Sequence, residues 1–256
     1  IVVHQGGWHE ISLTCDSRGA LVDIRGGPSF RPDFLLVRNE VRGAAGQDWR
    51  NILYGLAFAG VPSVNSVDSI LMFCERPVAH GQLVQIQRRV GKERFPLVEA
   101  HYFPTHRQML FGPPFPAVVK VAHGEAGLGK MIVRSPKDFT DFASVMALTT
   151  HYLTAEPFVE HAEYDIRLQK IGDHYRAFKR FSISDNWKTN TGTSAILPLP
   201  MRPRYKFFCD EAAKIFGGLD ILSVDLIVPP QPDADLSAPS ATMQEFLTIH
   251  EREAAA

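Results

Sequence analysis

The sequence predicts a mixed α/β protein built of two units, and two observations lead to this prediction. Over about the first 95 residues, short apolar runs alternate with segments of helical periodicity, which is typical of an α/β unit with a parallel sheet. After a proline-rich stretch at residues 111–116, a glycine-rich loop lies between two apolar, strand-like runs. We therefore expect one domain over residues 1–112, a second over residues 113–228, and a proline-rich, disordered tail over residues 229–256.

The elements of the first unit follow from apolar spacing and from the residues that cap helices. Ile52, Leu53 and Leu56 fall on one face of a helix, and Gly60 ends it. Ser66 is a candidate N-cap for the next helix. The expected elements are a strand at 34–37, a helix at 49–59, a short strand at 61–64, a helix through Phe73 and a further helix after Pro77.

The second unit is expected to begin with a hairpin around the glycine-rich loop. The run Ile221–Val228 is apolar except for one carboxylate and a serine, so we expect it to be a buried strand. Residues 243–250 are expected to form one or two helical turns within the tail. The other expected elements are a helix near 137–148, strands at 154–159, 164–171 and 174–184, and a helix at 204–216.

The segment at residues 116–133 carries the strongest functional signal in the chain. It places three glycines in a loop whose backbone can therefore curl and turn its N–H groups toward one point. Lys120 and Lys130 bracket this loop, and such an arrangement suits a polyphosphate. The loop thus predicts an ATP site, although an ordinary glycine-rich hairpin with surface lysines has the same composition. The three glycines are Gly124, Gly127 and Gly129.

The spacing from Gly124 to Lys130 matches that of a P-loop, but the following residues exclude this interpretation. A P-loop needs Ser or Thr after the lysine and a helix that begins there. Here Met131 follows, the next residues favour a strand, and Pro136 would stop a helix. The loop therefore joins two strands. A glycine-rich hairpin of this kind resembles the phosphate flap of ATP-grasp proteins.

Three further segments bear on the nucleotide hypothesis, and each has a purely structural alternative. Glu156 precedes an extended X-Pro segment that suits the edge of an adenine ring, but a plain strand end explains it as well. Asp165 and Arg167 share a strand face that lies toward either a cleft or solvent. The loop at residues 186–194 collects amide, hydroxyl and lysine donors that suit an anion, and surface turns have a similar composition.

Asp225 is the only charged residue in the apolar run at residues 221–228. A carboxylate in such a strand needs a cation or hydrogen-bond donors nearby. Because an isolated buried aspartate is uncommon, we favour a divalent metal ion as its partner.

Composition limits the classes of function. Hydrophobic residues make up 45% and charged residues 21% of the chain, as in soluble globular proteins. With a formal net charge of −1, the chain has no global basic field, which argues against a nucleic-acid partner. The three cysteines are far apart and in no metal-ligand spacing, so we expect reduced thiols in a cytosolic protein. The longest uncharged apolar run, at residues 52–64, is too short to span a bilayer.

Seven motifs, in order within about residues 30–228, make the chain recognisable: it resembles the central C domain of synapsins. The string Asn186–Gly192 and the string Ile215–Ile221 are long and specific. The motifs are Ala59–Ser66, Phe115–Lys120, Gly127–Lys130, Glu156–Phe158, Tyr164–Gly172, Ser184–Gly192 and Ile215–Ile221.

This resemblance implies a pre-ATP-grasp α/β domain followed by an ATP-grasp domain that binds ATP with Ca²⁺ or Mg²⁺. It also implies dimers or tetramers, a cytoplasmic and presynaptic location, peripheral association with synaptic vesicles, and actin as a further partner. Carried onto this chain, it assigns phosphate contacts to two lysines and a flap glycine pair, the adenine hinge to the segment at 156–159, and the first metal carboxylate to Asp225. The implied site residues are Arg76, Lys120, Gly127, Gly129, Lys130, Glu156, Phe158, Val159, Asp165, Lys188 and Asp225.

The chain departs from the family pattern at three places. Synapsins usually carry Lys where Arg76 stands and Glu where Asp225 stands, so we expect phosphate and metal to be held differently. The family's first strand and its continuation past residue 228, which brings a second metal carboxylate, have no match. Glu245 is not expected to replace that carboxylate, because it follows a flexible segment instead of lying on the paired strand. The sequence therefore predicts that the phosphate-binding residues are present but that only one of the two metal-binding carboxylates is. We expect the chain to bind ATP weakly, or not to bind ATP together with a metal ion.

Three functions are compatible with these features. The first is a non-catalytic, ATP-binding, vesicle-associated protein that regulates vesicle clustering and neurotransmitter release. The second is an ATP-grasp ligase that joins a carboxylate to an amine through an acyl phosphate, which the missing second carboxylate disfavours. The third is an interaction module that has lost nucleotide binding.

Overall fold

The computed structural model describes residues 1–43, 46–110, 112–123, 128–160, 164–182, 194–228 and 242–247. Within these ranges the chain forms five α-helices, three short 3-10 helices and thirteen strands. The α-helices are α1 (Arg50–Phe58), α2 (Val67–Phe73), α3 (Arg76–Val90), α4 (Pro136–Met146) and α5 (Pro203–Ala212). The strands are β1 (Ile11–Asp16), β2 (Gly19–Ile24), β3 (Leu35–Leu36), β4 (Ser63–Val64), β5 (His101–Phe103), β6 (Ala117–Val121), β7 (Lys130–Val133), β8 (Leu153–Pro157), β9 (Tyr164–Ile171), β10 (His174–Ser182), β11 (Ser194–Leu199), β12 (Ile221–Val228) and β13 (Thr242–Leu247).

The first unit packs α1 and α2 against a short parallel pair and an antiparallel hairpin. Leu53 and Leu56 of α1 are buried, as their spacing predicts, and the Ser66 side chain caps α2 by accepting from the Ser69 N–H. Strands β3 and β4 pair in parallel. Strands β1 and β2 form an antiparallel hairpin that the sequence analysis did not anticipate. The parallel sheet expected here is thus limited, among the described residues, to two short strands.

Two antiparallel sheets hold the other strands, and they include β5 and β13, which lie outside the range expected for the second domain. The first has the strand order β5-β8-β6-β7, and α4 covers it with Phe139 against Val119 and Val133. The expected hairpin around the glycine-rich loop is confirmed, because β6 and β7 pair antiparallel. The second sheet has the order β11-β10-β9-β12-β13, and its core holds Phe208 of α5 against Leu168 and other apolar side chains. Among the described residues, no helix has the length and apolar character needed to cross a bilayer.

The prediction of helical turns was wrong for residues 243–247, and residues 248–250 lie outside the described residues. Thr242–Leu247 form β13, which pairs antiparallel with β12, so that Ser223 lies opposite Leu247 and Asp225 opposite Gln244. A bulge between Val224 and Asp225 shifts the register there. The free edge of β12 offers a row of N–H and C=O groups, and pairing with that edge outweighs the weak local helical preference.

Asn65 joins the first unit to the second sheet. Its side-chain amide donates to the Ile221 carbonyl at 2.7 Å and accepts from the N–H groups of Asp220 and Ile221 at 2.8 and 2.9 Å. Asn65 itself is buried, and these three part-buried bonds satisfy its amide group. The amide therefore fixes the start of β12 against the loop that precedes α2.

Replacing Asn65 by alanine is expected to lower the free energy of unfolding by about 2–3 kcal/mol, because it removes three part-buried hydrogen bonds to the backbone of Asp220 and Ile221. Urea unfolding followed by circular dichroism measures this change. Asn51→Ala, on the exposed side of α1, is the matched control and is expected to stay within about 0.5 kcal/mol of the wild type. Equal stability of both variants would contradict the assignment of Asn65 as the link between the units.

Candidate nucleotide-binding site

A buried ion pair lies at the centre of the first sheet. Lys120 of β6 and Glu156 of β8 are 3% and 8% exposed, and Lys120 Nζ lies 2.5 Å from Glu156 Oε1. Both charges were singled out by the sequence, and the structure brings them together. A buried charge is tolerated when it is paired, so each residue depends on the other.

Lys130 lies across the hairpin from this pair. The ladder places Lys130 directly opposite Lys120, and opposite residues of an antiparallel pair project from the same face. Glu156 lies opposite Val118, two residues before Lys120, and therefore projects from that face as well. The charges of Lys120, Lys130 and Glu156 sum to +1, because Glu156 offsets one of the two lysines. A face with this net positive charge suits a polyphosphate.

The loop between β6 and β7 is described only at its two ends. Gly129 has φ +66°, a left-handed conformation that glycine adopts without strain, and its carbonyl accepts from the Val121 N–H at 2.8 Å. Gly127 lies outside the described residues. So do Lys188 and the donor-rich residues 186–193.

The segment after Glu156 runs along the end of β6. The Phe158 N–H donates to the Pro116 carbonyl at 2.9 Å, and Phe158 and Val159 are half-buried. This bond fixes the segment against β6, next to the face that carries Lys120 and Glu156. The position fits the adenine hinge that the sequence predicts at residues 156–159, although the Phe158 N–H is already engaged.

Helix α3 brings two basic side chains of the first unit to this face. Arg76 is its first residue, and its charge acts on the hydroxyl of Tyr152, just before β8. His80 lies one turn further along the same side of the helix. Burial lowers the pKa of His80, Glu156 raises it and Lys120 lowers it, so His80 lies close to the central ion pair. Sequence reasoning missed His80, although its spacing of four residues from Arg76 was an available signal.

The lowered pKa of His80 gives a pH dependence. The folded protein binds fewer protons there than the unfolded chain, so the contribution of His80 to stability is complete above the ordinary pKa of about 6.5 and is lost as the pH falls below it. We expect His80→Gln to flatten the decline in unfolding free energy between about pH 7.5 and pH 5.5, by at most about 1.4 kcal/mol per pH unit.

Urea unfolding at several pH values measures this difference. His174→Gln, at an exposed position of β10, is the control and is expected to keep the wild-type slope. The decline that remains in His80→Gln is attributed in part to His123, whose pKa is lowered mainly by burial and also by Arg42. Parallel curves for the wild type and His80→Gln would contradict the placement of His80.

Four charged side chains form a second cluster on the neighbouring sheet. Arg167 donates two hydrogen bonds to Asp225, from Nε to Oδ1 and from Nη2 to Oδ2, both 2.9 Å long. Arg180 Nη2 lies 3.3 Å from Oδ2 of both Asp165 and Asp225. The strand register explains this arrangement, because Asp225 lies opposite Arg167 and Arg180 opposite Asp165. The positive partner of Asp225 in this structure is therefore arginine, which is the hydrogen-bonding alternative that the sequence left open.

A divalent metal ion at Asp225 would need further oxygen ligands from neighbouring strands. Glu245 belongs to β13 and lies between Gln244, opposite Asp225, and Phe246, opposite Val224. The expectation that Glu245 does not lie on the paired strand was therefore wrong. The backbone of Glu245 therefore lies on the strand next to that of Asp225, and hard cations prefer oxygen ligands such as carboxylates. Among the described residues, however, no cluster of three or more acidic, histidine or cysteine side chains has the arrangement of a metal site.

Similar folds occur among solved structures of ligases. The chain is similar to D-alanyl-alanine synthetase A from Vibrio cholerae, with a TM-score of 0.65, 10% identity, and coverage of 93% of this chain and 73% of that one. It is similar to the D-alanine-D-alanine ligase from Coxiella burnetii, with a TM-score of 0.59, 16% identity, and coverage of 93% and 64%. It is also similar to the ATP-grasp ligase PsnB, with a TM-score of 0.60, 16% identity, and coverage of 95% of this chain and 79% of that one. At these identities the likeness shows the ATP-grasp fold alone.

Sequence comparisons are more specific. Synapsin from Drosophila melanogaster is 36% identical over 204 residues, which cover 78% of this chain and 20% of that protein. The chain thus spans about a fifth of the length of this relative. The family model for the synapsin pre-ATP-grasp domain matches residues 1–63, and the model for the synapsin ATP-binding domain matches residues 65–233. The chain belongs to the synapsin family, with a pre-ATP-grasp domain followed by an ATP-binding domain of the ATP-grasp fold.

Proposed function

We propose that this chain binds ATP on the face that carries Lys120, Lys130 and Glu156, and that it does so without catalysing a reaction. The observation that carries the proposal is the buried Lys120–Glu156 pair with Lys130 across the glycine-rich hairpin. A nucleotide triphosphate matches this arrangement, because its phosphates meet the lysines and its base lies at the segment that follows Glu156.

Each proposed site residue has a defined task. Lys120, Lys130 and Arg76 offset the charge of the phosphates, and backbone N–H groups of the loop with Gly127 and Gly129 donate to phosphate oxygens. Glu156, Phe158 and Val159 line the base. Asp165 and Lys188 face the remaining part of the nucleotide. Arginine at position 76 adds a planar, multi-donor contact that lysine does not provide.

Asp225 and Glu245 are proposed to hold Ca²⁺ or Mg²⁺ when nucleotide is bound. Such an ion offsets the phosphate charge and orients the phosphates. The strand pairing of β12 and β13, which brings the two backbone positions together, supports this assignment.

Calorimetric titration of ATP, with and without CaCl₂ or MgCl₂, tests the site. Lys130→Met is expected to weaken binding by about tenfold or more, which corresponds to about 1.4 kcal/mol. Lys137→Met, at an exposed position of α4, is the matched control and is expected to bind like the wild type. If the wild-type chain binds no ATP, the proposal is wrong, and the chain is an interaction module that has lost nucleotide binding.

Peripheral association with synaptic vesicles from the cytoplasmic, presynaptic side is the cellular role that we propose, together with a homodimeric or tetrameric state and actin as a further partner. Membership of the synapsin family supports this role. Co-sedimentation with purified vesicles and with actin filaments, and light scattering with and without ATP, test it. A monomer that sediments with neither would overturn this part of the proposal.

Strand β13 makes a ligase activity the second candidate. The missing second carboxylate strand was one of the sequence arguments against catalysis, and the pairing of β13 with β12 answers that argument alone. Release of ADP from ATP in mixtures of carboxylic acids and amines tests this candidate. Turnover that requires both an acid and an amine would replace the non-catalytic proposal.

A further inference from the structure

The carboxylate of Asp225 is fully engaged by side chains of this chain. Both of its oxygens accept from Arg167, and one also receives the longer contact from Arg180. The Arg167 and Asp225 side chains are 11% and 10% exposed, so water does little to weaken their attraction. A bidentate pair of this kind fixes both the position and the orientation of the carboxylate.

The charges of the cluster balance without any metal ion. Asp165 and Asp225 carry two negative charges, and Arg167 and Arg180 carry two positive charges. A divalent cation that approaches Asp225 therefore meets no net negative charge from these four groups. It also comes within a few ångströms of a guanidinium that stays protonated throughout the physiological pH range. Arg167 and a divalent cation cannot both hold this carboxylate closely in the same state.

We propose that Arg167 is the resident counter-ion of Asp225 and that it competes with divalent cations for this carboxylate. This inference rests on the metal site of the proposed function and adds the residue that sets its cation dependence. Without nucleotide, Arg167 keeps the site closed to Ca²⁺ and Mg²⁺. Removal of its charge leaves the cluster with a net charge of −1 and opens Asp225 to a cation.

Calorimetric titration of CaCl₂ and MgCl₂ into the nucleotide-free protein tests this competition directly. The wild type is expected to bind Ca²⁺ weakly, and Arg167→Gln is expected to bind it about tenfold more tightly or better. Arg89→Gln is the matched control, because Arg89 also pairs with a carboxylate, that of Glu211, but lies on the far part of α3. It is expected to bind Ca²⁺ like the wild type.

A double variant keeps the test valid if Arg167→Gln is unstable. Arg167→Gln combined with Asp225→Asn removes both charges of the pair, and we expect it to lose the gain in Ca²⁺ affinity. The melting temperature of Arg167→Gln should also rise when CaCl₂ is added, whereas that of the double variant should not. Tight Ca²⁺ binding by the nucleotide-free wild type, or no gain in Arg167→Gln, would overturn the proposal. Because these titrations contain no nucleotide, their failure is distinguishable from a failure to bind ATP.

Discussion

Replacement of Lys120 by methionine is expected to lower the free energy of unfolding by about 3–5 kcal/mol and to abolish measurable ATP binding. The substitution leaves the Glu156 carboxylate buried at 8% exposure without its ammonium partner. An uncompensated buried charge is costly because the protein interior screens and solvates it poorly. Urea unfolding and ATP calorimetry on the same sample measure the two losses.

A double variant separates stability from binding. Lys120→Met with Glu156→Met replaces the ion pair by two apolar side chains, and we expect it to recover most of the lost stability. It should still fail to bind ATP, since both proposed contacts are gone. The exposed Lys137→Met serves again as the control. A loss below about 1 kcal/mol in the single variant would contradict the burial of this pair.

Asp225→Ala is expected to cost a similar amount, about 3–5 kcal/mol. It removes the acceptor of two 2.9 Å bonds from Arg167 and of a longer contact from Arg180. Chemical denaturation of the wild type and the variant measures the change. Asp16→Ala removes the acceptor of an exposed pair with Arg18 and is expected to show no measurable effect. Equal stabilities of Asp225→Ala and the wild type would mean that the arginine cluster is not formed in solution.

Local patterns predicted much of the fold. The Leu53 and Leu56 spacing of α1, the Ser66 cap of α2 and the bounds of β9 and β12 are all confirmed. Each is encoded within a few neighbouring residues, through side-chain periodicity or through a polar side chain that satisfies a nearby backbone N–H. The glycine-rich hairpin was also predictable, because Met131 and the residues after it exclude a helix at that point.

The remaining features depend on strand register, which sequence proximity does not reveal. Arg167 meets Asp225 only because β9 and β12 pair with these two residues opposite each other. His80 acts on Glu156 and Lys120 only through the tertiary placement of α3, which lies far from β6 and β8 in the sequence. The sequence therefore identified Lys120, Glu156 and Asp225 as unusual charges but not the partner that each one has.

Strand β13 was missed for the same reason. Its residues have mixed local preferences, and a proline-rich segment separates them from the rest of the domain. Pairing with the free edge of β12 stabilises these residues as a strand, because an unpaired edge can pair with a segment from any part of the chain.

The position of β13 also sets the order in which the second sheet can be completed during synthesis. Strands β9 and β10 form a hairpin from adjacent residues, and β12 joins β9 as soon as residues 221–228 are available. From then until residues 242–247 leave the ribosome, one side of β12 is an open edge with unpaired backbone groups. A nascent chain that pauses in residues 229–241 therefore displays an apolar strand edge to other chains, and this interval is where chaperones would protect the protein from aggregation.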